Sequence, residues 1–203
     1  VAPVFRVRKA DDIVLLSSTV VVTPIVIAGF MSHVKGGDAN YEYIQLLATR
    51  DINFSATPYS VVVCNNAGTA LASQGWGPGV VGTVYRSYKF NLTSGTAAKG
   101  TYFYVGGSGK RINGASSTSM SSLNWIRSFN YSTTDGDGFG PQTGGLFANS
   151  GNASGVAVFS GTNVTLASEP IDVIMIDAGG SVLDGSNPPK WGYRLTNTDW
   201  YDK

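Results

Sequence analysis

Hydrophobic positions along the chain fall into short runs, some alternating with polar residues and some continuous, with turn residues between them. They predict strands over residues 13–16, 20–23, 25–30, 41–47, 59–64, 85–92, 101–105, 155–159 and 170–176, with a further candidate at 191–195. Clusters rich in Gly, Asn, Asp and Ser at 35–40, 65–79, 106–119, 133–145 and 178–189 supply the connections. One stretch, 119–126, reads instead as a short helix, capped by its serines and burying Leu123, Trp125 and Ile126. No long amphipathic period occurs elsewhere, and neither a fixed-period repeat nor a low-complexity linker divides the chain. The pattern therefore predicts an all-β sandwich in one domain.

The longest apolar stretch, 13–31, is long enough to suggest a membrane helix, which needs roughly 20 apolar residues. Its residue types argue otherwise. Val20, Val21, Val22, Ile25, Val26 and Ile27 are β-branched and favour a pleated surface. Pro24 removes a backbone donor in the middle, and Ser17, Ser18 and Thr19 interrupt the apolar run. A secretory signal would carry basic residues just ahead of the run, where Asp11 and Asp12 stand. The stretch reads as strands that split at Thr23-Pro24, with no membrane span.

Composition narrows the class of protein. The chain has 203 residues, enough for a buried core, and a net charge of +1 with 13% charged residues. Its Lys and Arg are scattered, which offers no electrostatic basis for binding nucleic acid. So little charge suits an extracellular or assembled protein. Cys64 is the single cysteine, so neither an internal disulfide nor a cysteine metal cluster can form. Its place at the end of an apolar run predicts a buried thiol. Val1 in the place of an initiator Met is what a mature end would give after removal of a leader, and also what a trimmed chain would give. Asn-x-Ser/Thr triplets begin at Asn53, Asn91, Asn130, Asn152 and Asn163 and are candidate glycosylation sites.

Candidate chemistry is sparse. A Ser-His-Asp set would have to be built on His33, the only histidine, which lies in a Gly-flanked loop. Glycoside hydrolysis needs two carboxyl groups with separated pKa values, and the two glutamates, Glu42 and Glu169, lie at strand or strand-edge positions. Asp135 and Asp137, in Asp135-Gly136-Asp137-Gly138, are a candidate calcium pair, although the twelfth position of an EF-hand loop would fall on Leu146. Trp76, in a Gly-rich loop, is the candidate platform for a sugar face, with Trp125, Trp191 and Trp200 as further aromatics. No cofactor is implied.

The order of motifs resembles a known family. Ile25-Val26-Ile27-Ala28-Gly29 leads to Tyr41-Glu42-Tyr43-Ile44-Gln45-Leu46, then to Tyr88-Lys89-Phe90 and Thr101-Tyr102-Phe103-Tyr104-Val105. Leu146-Phe147-Ala148-Asn149-Ser150-Gly151, Val156-Ala157-Val158-Phe159 and Ile171-Asp172-Val173-Ile174 follow. Over about residues 25–177 this is similar to the lamin-tail domain in its bacterial extracellular form. Two departures are Gln45, where that family carries an acidic residue, and a longer 106–145 stretch. The resemblance implies an immunoglobulin-like β-sandwich that acts as a binding or assembly module, with no catalytic residues to carry over. It also implies a tight turn at Asn149-Ser150-Gly151.

Three segments result: an N-terminal β-strand arm over 1–24, a sandwich over 25–177, and a C-terminal extension over 178–203 that packs on the sandwich or on a neighbour. The arm alternates at Phe5 and Val7 and is continuously apolar near Ile13, Leu15, Val20 and Val22. Apolar strands must pair with something. They either extend the chain's own sheet or complete that of a neighbour, and the second contact would generate a fibre. The expectation is a non-enzymatic extracellular subunit of a cell-surface fibre or layer, homo-oligomeric through β-strand addition. The alternative is a monomeric secreted adhesion or carbohydrate-binding module with glycan partners.

Overall fold

A computed structural model describes residues 22–65, 80–81, 84–85, 87–147, 153–165, 167–177, 193–194 and 200–201. In chain order the strands are β1 (Ile25–Met31), β2 (Tyr43–Ala48), β3 (Ile52–Asn53), β4 (Tyr59–Asn65), β5 (Val80–Val81), β6 (Val84–Tyr85) and β7 (Ser87–Leu92). They continue with β8 (Thr96–Ala97), β9 (Tyr102–Gly107), β10 (Trp125–Phe129), β11 (Ala153–Ser160), β12 (Asp172–Asp177), β13 (Tyr193–Arg194) and β14 (Trp200–Tyr201). No helix occurs among the described residues, so none is long and apolar enough to cross a membrane. The all-β expectation holds.

Two four-stranded sheets make the body, one ordered β1-β2-β9-β10 and the other β12-β11-β4-β7. They face each other across a single main core. Ile44 and Leu46 of β2, Phe103 and Val105 of β9, Val61 and Val63 of β4 and Val156 and Val158 of β11 are all fully or almost fully buried in it. These are alternate positions, as the period of two requires. Phe54, Phe90 and Tyr131 fill the rest, with the Phe54 and Phe103 rings 5.3 Å apart edge-on.

The intervening residues explain why some runs are continuously apolar. Val62 and Cys64 of β4 and Ala157 and Phe159 of β11 point away from the main core, yet they too are buried, together with Val164. Phe139 and Val173 pack against them. A strand covered on both faces loses its polar alternation. Cys64 is buried, as its place in the run predicts. On the outer face of the other sheet Tyr43, Tyr104 and Met120 form a smaller cluster, with Met31 and Trp125 against it.

One prediction fails. Residues 119–126 do not form a helix: the chain turns at 121–123 and Trp125–Phe129 enters the first sheet as β10, parallel to β9. A parallel pair needs a crossover, and residues 108–124 provide it by folding over the outer face, where Met120 seals Tyr43 and Tyr104. Trp125 then faces that cluster while Ile126 and Phe129 pack on the main core. Leu123, expected to be buried, is 43% exposed. Pairing with β9 outweighs the weak local preference for a helical turn.

Strands 25–30, 41–47, 59–64, 101–105, 155–159 and 170–176 are found with ends shifted by a few residues. The predicted 85–92 strand is divided, with β6 pairing β5 and β7 pairing β4. The 191–195 candidate contributes β13, which pairs with β14, a strand the sequence did not predict. The predicted strand at 13–16 and the turn at 149–151 lie outside the described residues. So does most of the predicted 20–23 strand, of which Val22 and Thr23 are described and lie outside any strand.

Candidate functional site

Ser87, Lys89 and Asn91 occupy alternate positions of β7 and share the outer face of the second sheet, opposite Cys64, Val62 and Ser60 of β4. In the fold, two connections lie across this face. The loop after β11 is tied down by Ser60 Oγ, which donates to Gly161 O at 3.0 Å, and by Lys89 Nζ, which donates to Thr162 O. The loop at 136–140 is held to the edge of β7, where Asp137 N donates to Lys89 O at 2.7 Å and Asn91 N donates to Asp137 Oδ2 at 2.9 Å. Between them opens a groove of about 580 Å³, lined by Lys89, Gly138, Phe139, Asn163, Val164 and Thr165 among others.

Lys89 is the chemically distinctive group of this groove. It is only 5% exposed, and its ammonium lies 5.0 Å from the centre of the Phe139 ring. Burial pulls its pKa below the ordinary lysine value, and the Asp137 charge acts in the opposite direction. Asp137 is nevertheless committed elsewhere: Arg127 grips it through Nε at 2.8 Å from Oδ2 and Nη2 at 2.5 Å from Oδ1. No carboxylate among the described residues comes within ion-pair distance of Lys89 Nζ.

The acidic pair singled out in the sequence therefore has protein partners. Asp137 is held by Arg127 and the Asn91 amide, and Asp135 Oδ1 accepts the Gln142 amide at 2.9 Å. No group of three or more His, Cys, Asp or Glu side chains placed to hold a metal ion occurs among the described residues. The alternating glycines of this segment have a packing reason. Gly140 has φ +92°, and a Cβ there would meet Ser87 O at 2.3 Å.

Glu42, which precedes β2, is fully buried. Its Oε2 accepts the Leu146 amide and lies 3.5 Å from the Tyr131 hydroxyl, while Oε1 has no hydrogen-bond partner. Burial pushes its pKa up to about 8, with the charge of Asp38 adding to the rise and the Leu146 amide opposing it. Tyr131, itself buried, donates to Asp38 O and accepts from the Glu42 amide at 3.3 Å. This network joins the 38–42 loop to the 131–147 segment.

His33 has a side chain 75% exposed, with Nδ1 3.9 Å from Asp38 Oδ1, as a loop histidine should be. Trp125 is engaged structurally: its Nε1 donates to Met120 O at 2.8 Å and its ring stacks near Tyr104. Asn53 and Asn163 are exposed, whereas Asn130 Oδ1 accepts from Ser132. Val22 is 61% exposed just before β1. Trp76, Phe5, Val7, Ile13, Leu15 and Val20 lie outside the described residues. Sequence reasoning missed Lys89, because an alternating Ser-Lys-Asn strand carries no sign that distant loops cover it.

Comparison with protein-family models and with curated proteins finds no match to either.

Proposed function

We propose that this chain is a non-enzymatic extracellular β-sandwich of the lamin-tail-like, immunoglobulin-like kind, and that it assembles with copies of itself through its N-terminal strands. Strand order supports the immunoglobulin-like part of this reading. With β1, β2 and β9 taken as A, B and E, and β4, β7, β11 and β12 as C, C′, F and G, the two sheets follow the immunoglobulin-like arrangement, with β10 as an addition.

One observation carries the second half. Strands β1 and β12 each stand at the edge of their sheet, and they meet on one side of the sandwich. There Thr23 Oγ1 donates to Ile171 O at 3.0 Å and Ile27 N donates to Asp172 Oδ2 at 2.6 Å. The chain reaches this place at exposed Val22, directly from the strand-forming 13–22 sequence. Beside it, Val26, Leu47 and Tyr102 align across three strands on the outer face, with Tyr102 51% exposed. Strand-forming sequence delivered to paired edges is the arrangement that β-strand addition uses.

The test compares the full chain with one lacking residues 1–21 by light scattering and electron microscopy. The full chain is expected to form polymers and the shortened chain to remain monomeric. A full chain that stays monodisperse and monomeric at high concentration overturns the reading, and so does a shortened chain that still polymerises.

A further inference from the structure

We propose that the groove between the 136–140 and 161–165 segments binds a carboxylate-bearing sugar, with its carboxylate on Lys89 and its ring against Phe139. An ammonium taken out of water is costly unless an opposite charge compensates it. Lys89 is almost completely buried and has one carbonyl partner, while the nearest acidic residue, Asp137, already holds a bidentate guanidinium. Among the described residues, the ammonium of this groove-lining side chain is thus left without an ion-pair partner. An anion entering from solvent completes it with a charge-assisted contact.

The lining then selects among anions. The lining includes Phe139, half-buried, whose ring supplies apolar surface for a sugar face, and buried Val164, against whose cluster Phe139 packs. The lining also includes the exposed residues Asn163 and Thr165, whose amide and hydroxyl groups suit sugar hydroxyl groups. The volume of about 580 Å³ exceeds what a bare inorganic anion needs. Apolar ring, polar lining groups and single buried cation together fit a uronic acid better than a neutral sugar or a simple carboxylate. The site lies on the sheet opposite β1, so it stands or falls separately from assembly through the N-terminal strands.

The experiment titrates the full-length protein with glucuronate, glucose and acetate, following backbone amide signals by NMR. Glucuronate is expected to shift the Lys89, Phe139, Asn163 and Thr165 signals saturably, and to bind at least about tenfold more tightly than glucose or acetate. Lys89→Met should remove that binding. Asn163→Asp, at an exposed position that should leave the fold intact, places a negative charge in the lining and should weaken glucuronate at least about tenfold. The proposal is overturned if glucuronate does not saturate, if glucose or acetate binds as well, or if Asn163→Asp binds glucuronate as tightly as the parent.

Discussion

A buried carboxyl group beside a tyrosine hydroxyl couples the stability of this protein to pH through Glu42. Its folded pKa is raised to about 8 from an ordinary value of 4.5. The folded state therefore holds the proton more tightly than the unfolded chain does. Stability is fullest below about pH 4.5 and falls as pH rises through 8, by an amount on the order of a few kcal/mol. Glu42→Gln keeps the shape and cannot ionise. Urea midpoints measured from pH 5 to pH 9 should fall for the parent and stay level for Glu42→Gln; equal slopes would remove Glu42 as the cause. Nothing around Glu42 in the sequence signals this. A glutamate beside an apolar strand reads as an edge residue until the 131–147 segment is known to close over it.

Elements held by backbone contacts rather than by apolar burial are the next level. The 136–140 loop covers the free edge of β7, with Gly136 N donating to Gly140 O and Asp137 N to Lys89 O, both at 2.7 Å. Shielding an edge strand in this way blocks pairing with other chains. Gly140→Ala adds a positive-φ penalty to a collision with Ser87 O, so it should lower the denaturation free energy by more than about 1 kcal/mol. Asp137→Ala should cost about 2 kcal/mol by breaking the Arg127 pair and the Asn91 bond. Urea unfolding measures both, and unchanged midpoints would mean that the loop does not hold the edge. The strands themselves were legible, because apolar runs such as Tyr59–Cys64 have few other ways to be buried. What the sequence hid was β10: Trp125–Phe129 alternates poorly, and its strand state comes from pairing with β9 across a long crossover.

At the scale of the molecule, two sheets enclose one core, and loops cover parts of both outer faces, over Tyr43 and Tyr104 on one side and Val62 and Phe159 on the other. The two-sheet architecture was readable from the spacing of apolar runs. The Lys89 groove was not, because it depends on loops 136–140 and 161–165 meeting over a strand distant from both in the chain. Among the described residues, β1 and β12 each end their sheet and lie side by side. We propose that strands from another copy add there. Amide hydrogen exchange of the full chain, followed across β1 and β12 from dilute to concentrated protein, tests it most directly. Exchange in Ile25–Met31 and Asp172–Asp177 should slow as concentration rises and copies pair. Exchange at those amides that is the same at every concentration would contradict assembly through these edges.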